Sequence, residues 1–353
     1  LPNAFKYEVI GHSEQNRPIY SVKIGTGKIK ILIWSQMHGN ESTCTKALFD
    51  IFNVLKTTSF DTILRECSLF IIPILNPDGA ESYTRKNANQ VDINRDAVDL
   101  SQSESKVLRA VFDAINPDYG FNMHDQRTLF NVGKNNAPAT VSFLSPAQDQ
   151  ALTLTPNRLR AMSVIHQMNL VLQKHIPGQI GRFDDAFNIN CVGDNFQAQG
   201  TSTILFEAGH FHKDYNREES RKFIAFATLQ ALLCISANSV NENDYENYLQ
   251  IPENNTLFFD VLIKNALIRK DNEESVNDIG IIFEEILNNG EILFLPKIKS
   301  IGNLSSYFGH KTINADKKLV QEVSGISIEP DTDFCNIVIG NSEISLLLNN
   351  NLT

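Results

Sequence analysis

Along its first 235 residues the chain alternates between two rhythms. Continuous apolar runs, "ILIWSQ" at 31–36, "LFIIPIL" at 69–75, "DYGFNMH" at 118–124 and "TSTILFE" at 201–207, read as strands, the second covered on both faces. Between them, apolar residues return every three or four positions. Val107, Leu108, Val111, Phe112 and Ile115 form one such face, and Leu159, Met162, Ile165, Met168 and Leu172 another. A capping box at Ser101 and Glu104 is expected to open the first helix, which stops at Asn116–Pro117. Thr155 with Pro156 opens the second, and a last long helix is predicted over 216–237. Ahead of these elements, the N-terminal stretch predicts short strands joined by turns at Glu14–Asn16 and Gly25–Gly27. Strands alternating with helices predict an α/β fold: a mixed, mostly parallel twisted sheet with helices on both faces.

After Asn238 the texture changes. The stretch 239–256 is polar and reads as a linker between a first domain, 1–238, and a second, 257–353. Short apolar runs at 257–269, 278–286, 290–298, 318–328 and 335–347 follow, separated by turns such as Asn288-Asn289-Gly290 and Ser324-Gly325. That spacing predicts a small β-rich domain. No internal repeat is present, and the only compositional bias is the Asn-rich end "NNNLT".

Composition narrows the function more than the fold. A net charge of −10, with no Lys/Arg cluster, argues against nucleic acid and against anionic membrane surfaces as partners. No apolar run approaches a membrane span of roughly 20 residues. Cys44, Cys67, Cys191, Cys234 and Cys335 are odd in number and widely spaced, which fits neither a disulfide framework nor a structural zinc site. A reducing, cytoplasmic location is the expectation, although the first residue is Leu1 rather than Met. Oligomeric state is not legible.

The candidate chemistry starts where the strand "ILIWSQ" ends. His38 and Glu41 follow it directly, three positions apart, at the kind of strand end where α/β sheets place ligands. An imidazole and a carboxylate on one short loop suit zinc; a bland alternative is that Glu41 merely opens a helix. His124 ends its own strand and is the best third ligand. His210 and His212 compete as an H-x-H pair, and the remaining histidines lie on a helix, in a turn or in the second domain. Glu207 ends "TSTILFE", a carboxylate placed to act as a base rather than as a surface acid. The segment "TRKNANQVDINRD" supplies Arg85, Asn94 and Arg95, guanidinium being the group that grips carboxylates in bidentate fashion.

Taken in order, His-x-x-Glu after a strand, "NPDG" at Asn76–Gly79, "RKN…VDINR", a strand ending in His and a strand ending in Glu resemble the zinc metallocarboxypeptidases of the carboxypeptidase A type. The resemblance covers roughly residues 5–235. It implies one zinc ion held by His38, Glu41 and His124, with Asp92 orienting the first histidine. It further implies that Arg85 polarises the scissile carbonyl, that Asn94 and Arg95 hold a terminal carboxylate, and that Glu207 is the general base. The implied activity is hydrolysis of a peptide bond that releases a C-terminal residue, with a peptide as partner.

Two departures leave the substrate open. The family's digestive members carry a tyrosine in the loop before the catalytic strand, whereas residues 183–200 offer only Phe183, Phe187 and Phe196. The specificity position falls near Gly193 and Asp194, which indicate neither a deep apolar pocket nor a lone receptor for basic residues. A cell-wall peptide amidase and an aspartoacylase-like deacylase are the enzymatic alternatives. A catalytically inactive binding protein of the same fold is the non-enzymatic one.

Overall fold

The computed structural model describes residues 5–270, 273–323, 328–330 and 336–348. Cys335, the Ser324-Gly325 turn and the Asn-rich end fall outside the described residues. The chain forms two compact units, one made of Leu1–Gln126 with Ala139–Asn254, the other of Arg127–Pro138 with Asn255–Thr353.

In the first unit, β1 (Lys6–His12), β2 (Pro18–Ile24) and β3 (Ile29–Ser35) lead to helix α1 (Thr43–Val54) and the short α2 (Asp61–Glu66). Then come β4 (Cys67–Ile72), α3 (Pro77–Ser82), α4 (Ser103–Ile115), β5 (Tyr119–Asp125), β6 (Val141–Leu144) and α5 (Pro156–Leu172). The unit continues with β7 (Ile180–Arg182), α6 (Val192–Ala198), β8 (Ser202–Ala208), α7 (Glu218–Ser236) and α8 (Tyr245–Leu249). Eight strands make one sheet in the order β1-β2-β4-β3-β5-β8-β6-β7. Neighbours from β4 through β3 and β5 to β8 run parallel, as do β6 and β7, while β1–β2, β2–β4 and β6–β8 are antiparallel. The parallel centre is what strand–helix alternation predicts, and the antiparallel pairs make the sheet mixed.

Each face has its own core. Phe121 and Met123 of β5 and Ile204 and Phe206 of β8 pack with α1, α5 and α7. On the other face, Leu32 and Trp34 of β3 pack with Leu108 and Phe112 of α4 and with Phe196 of α6. Because successive strand residues alternate faces, Asn122 and His124 of β5 and Leu205 and Glu207 of β8 belong to this second face. Toward the carboxyl ends of the central strands that face carries the polar residues.

Three local expectations differ from what forms. The capping box at Ser101 is absent: α4 begins two residues later, and Glu14 accepts from the Ser103 N–H at 2.6 Å while Asp96 accepts from those of Ser101 and Gln102. Distant carboxylates do the capping, and Glu104 is instead buried, accepting from Asn87. "NPDG" is not a simple turn but the start of α3, with Pro77 at the first position and the Asn76 side chain accepting from the Gly79 N–H. Residues 239–254 are not a loose tether either. Tyr248 is fully buried and its hydroxyl accepts from the Ser145 N–H, so this polar segment packs as part of the first unit.

The second unit is β-rich. Strands Phe258–Lys270, Glu273–Asn288, Glu291–Gly302 and Phe308–Asn314 form a four-stranded sheet, and Val320–Glu322, Asn336–Ile339 and Ser342–Ser345 a three-stranded one. The Asn289-Gly290 loop has φ of 50° and 85°, the left-handed pair that a tight two-residue hairpin needs.

Candidate metal centre and cleft

His38 leaves β3 through a turn in which Gln36 takes a left-handed φ of 51°. Gly39 is required for a different reason, proximity: a Cβ there would lie 1.9 Å from the Gly79 carbonyl carbon and 2.3 Å from the Ala80 nitrogen. Only glycine lets the ligand loop pack directly on the backbone of α3. The loop is tied down on that side by Asn76, whose amide donates to the Met37 carbonyl at 3.1 Å.

Three side chains converge here. His38 Nδ1 lies 2.8 Å from Glu41 Oε1, His124 Nδ1 2.8 Å from Glu41 Oε2, and the two imidazole nitrogens 3.1 Å from each other. All three residues are buried, and among the described residues they form the single group of His, Cys, Asp or Glu close enough to ligate one ion. His38 Nε2 stands 3.1 Å from Asp92 Oδ1. A carboxylate there accepts a hydrogen bond from Nε2–H, so a neutral His38 keeps its lone pair at Nδ1, facing another lone pair and a carboxylate. Such an arrangement is repulsive unless a proton or cation sits within it. Donor atoms bound to zinc at about 2.0–2.1 Å in a tetrahedron lie roughly 3.3 Å apart, so these spacings suit the ion.

The protonation tendencies say the same. Burial would push His38 down, but the Glu41 charge and hydrogen bonds to Asp92 and Glu41 raise it overall. Burial would raise Glu41, yet the two histidines hold it well below the usual carboxylate range. Burial lowers His124. Asp92 is likewise held low despite its burial, by His38 and Arg85.

Around this centre the other expected residues take up distinct positions. Arg85 donates through Nε and Nη2 to Asp92 Oδ2 at 3.2 and 3.0 Å and through Nη1 to Glu41 Oε1 at 3.4 Å. Glu207 is buried and sits directly across from His124 in the β5–β8 register. Asn94 Oδ1 accepts from the Val192 N–H at 3.1 Å, so it anchors the start of α6 while its amino group remains for other work. Arg95 is exposed, with Nη1 on the Asn94 carbonyl and 2.9 Å from Cys191 Sγ. Asp194 follows Gly193 in the first turn of α6, and burial pushes its carboxyl up to about 7.

The competing H-x-H pair stands apart: His210 is buried with its ring against Tyr215, and His212 is exposed; neither belongs to the ligand group. Phe196 is stacked on Phe112 at 3.8 Å in the core. The sequence reading missed Cys191 and Asn122. Cys191 was weighed only for disulfides and metal. Asn122 had a readable signal, since it stands two residues before His124 on a strand and so shares its face. The four described cysteines are unpaired. No helix among the described residues is long and apolar enough to cross a membrane.

The zinc carboxypeptidase family profile matches residues 1–171. A probable carboxypeptidase 2 of Arthroderma benhamiae is 26% identical over 113 residues, 31% of this chain and 21% of that protein. Carboxypeptidase 2 of Trichophyton tonsurans is 25% identical over 113 residues, 31% of this chain and 20% of its own length. The match thus spans about a fifth of these curated relatives. Among solved structures, a metallo-carboxypeptidase from Burkholderia cenocepacia superposes with a TM-score of 0.55 at 16% identity, covering 68% of this chain and 66% of that one. Carboxypeptidase A from Helicoverpa armigera gives 0.52 at 17%, covering 68% and 69%. At such identities the likeness establishes the fold.

Proposed function

We propose that this chain, whose residues 1–171 match the zinc carboxypeptidase family profile, is a zinc-dependent peptidase releasing the C-terminal residue of a peptide with a free carboxylate. The observation that carries this reading is the convergence of His38 Nδ1, both Glu41 oxygens and His124 Nδ1 in one buried spot. One zinc ion held by these residues would supply Lewis acidity, polarising the scissile carbonyl and acidifying a water toward a pKa of about 7.

The chain's own residues account for the rest. Glu207, opposite His124, takes a proton from the attacking water and returns it to the leaving amine. Arg85, braced by Asp92, directs Nη1 toward the edge of the centre where negative charge develops on the substrate oxygen. Asp92 keeps the His38 proton on Nε2, which leaves Nδ1 available as a ligand atom. Arg95, with the Asn94 amino group beside it, offers a bidentate partner for a terminal carboxylate.

The test pairs metal analysis with a substrate comparison. About one zinc per chain is expected, and His124→Ala should lose it, because an open three-residue site tolerates the loss of a ligand poorly. Peptides with a free C-terminus should be cleaved, and amidating that terminus should remove most of the activity. Equal cleavage of both forms would refute the carboxypeptidase reading in favour of an amidase or deacylase.

A further inference from the structure

Two residues N-terminal to His124, on the same face of β5, Asn122 is 3% exposed, and its Oδ1 has no hydrogen-bond partner among the described residues. A central strand surrounded by helices seldom leaves a buried amide unanswered, since an orphaned acceptor has lost its water with nothing in return. The surroundings explain what it faces. Asn122 pairs in register with Leu205 of β8, which remains partly exposed although neighbours flank it on both sides. A partly exposed leucine in mid-sheet means that no helix covers this spot. Across the gap, the point where a Gly193 Cβ would sit is 3.6 Å from Asn122 Nδ2 and 3.3 Å from Pro146 Cγ, so any larger residue at 193 would narrow the opening.

Position supplies the rest. Two residues along a strand are about 6.6 Å, so Asn122 lies one side-chain length below His124. A peptide whose scissile carbonyl sits at the metal centre, with its terminal carboxylate toward Arg95, sends its last side chain toward Leu205 and Asn122. Asn122 is 3% exposed, so a charged side chain arriving here would have to shed its water beside an uncharged amide, which is costly.

Resting on the carboxypeptidase reading above, we propose that Asn122 is a specificity-determining residue that selects C-terminal residues with uncharged, hydrogen-bond-donating side chains, carboxamides and hydroxyls, over aliphatic ones. A site built to hydrogen-bond a polar group discriminates strongly against an analogue lacking it, because its own polar atom is then left unpaired.

The experiment uses the zinc-loaded full chain and a set of acyl-dipeptides differing only in the last residue: Gln, Asn, Ser, Leu, Met, Lys and Glu. The wild type is expected to release Gln or Asn with kcat/KM at least roughly tenfold above Leu. In Asn122→Leu that ratio should fall to about one or invert, with zinc content unchanged. Asn122→Asp keeps an acceptor and should retain the preference over Leu, which a purely structural role would not predict; it also serves if the leucine variant fails to fold. A wild-type preference for Leu or Met overturns the proposal, and so does an undiminished Gln preference in zinc-loaded Asn122→Leu. Release of no residue from any peptide in the set sinks the carboxypeptidase reading itself, and this inference with it.

Discussion

Asp92 receives both His38 Nε2 and the Arg85 guanidinium, so one carboxylate fixes the tautomer of a ligand and the aim of a cation. Asp92→Asn should preserve the shape but weaken both contacts. Zinc affinity, measured by chelator competition, is expected to fall by about 10–100-fold, as for other carboxylates that orient ligating histidines. Unchanged affinity would remove Asp92 from the site. Gly39 offers a second test at this scale. The overlap that a methyl group would make with Gly79 is with backbone, which cannot swing aside as a side chain could. Gly39→Ala should therefore cost on the order of 2–3 kcal/mol by urea unfolding and weaken zinc binding too, since the ligand loop must shift. An alanine variant as stable as the wild type would contradict the packing seen here. His38, Glu41 and His124 were legible in the sequence because each stands at the end of an apolar run, a pattern that survives without coordinates. Gly39 was legible as a glycine but not for its reason: the backbone it touches is some forty residues away.

At the scale of elements, the central strands and the long helices could be read from their periods, because burial on both faces and 3.6-residue repeats leave strong marks. Helix starts were less legible. The Ser101–Glu104 pattern met the local requirements of a capping box, yet Glu14 and Asp96, remote or loop-borne, took the donors instead. Helix α6 was hidden altogether, seven residues with glycine at its second position. Its Asp194 gives a pH prediction. Burial raises this carboxyl from its model-peptide value of 3.8 to about 7 in the folded chain, so folding takes up a proton. The stability it permits is fully present below the unfolded value and declines as pH rises through about 7, above which the folded state holds a buried carboxylate. Asp194→Asn removes that dependence. Between pH 5 and pH 8 the wild type should lose on the order of 2 kcal/mol more stability than the variant, measured by urea unfolding at both pH values. Parallel pH profiles would mean that Asp194 titrates normally.

For the whole molecule, the sequence suggested two domains in series, joined by a polar tether at 239–256. The chain instead belongs to the second unit twice, because Arg127–Pro138 leaves the first unit just after His124 and joins residues from 255 onward. The reason is visible in the hydrogen bonds of that segment. Leu129 O accepts from the Phe258 N–H at 3.1 Å, Thr128 O lies 2.8 Å from His310 Nε2, the Thr128 hydroxyl donates to Asp260 Oδ2 at 3.0 Å, and the Asn131 side chain accepts from the Leu257 N–H. A texture change along the chain cannot reveal an excursion this short, since twelve residues carry no period of their own. The excursion determines how the molecule can be divided. A chain cut after Asn254 keeps Arg127–Pro138 but strips it of those partners, leaving several backbone and side-chain groups unanswered at about 1 kcal/mol or more each where they are not rewetted. Replacing 127–138 in the shortened chain by a brief Gly/Ser loop removes the unpartnered segment, and longer or shorter surface loops carry only a small entropic cost. The loop-replaced form should therefore melt several degrees above the simple truncation and express with less aggregation, while both keep His38, Glu41, His124 and Glu207. Thermal unfolding of the two shortened chains decides it: equal midpoints would mean that Arg127–Pro138 stands as well without the second unit as with it, and that the division belongs at residue 254 alone.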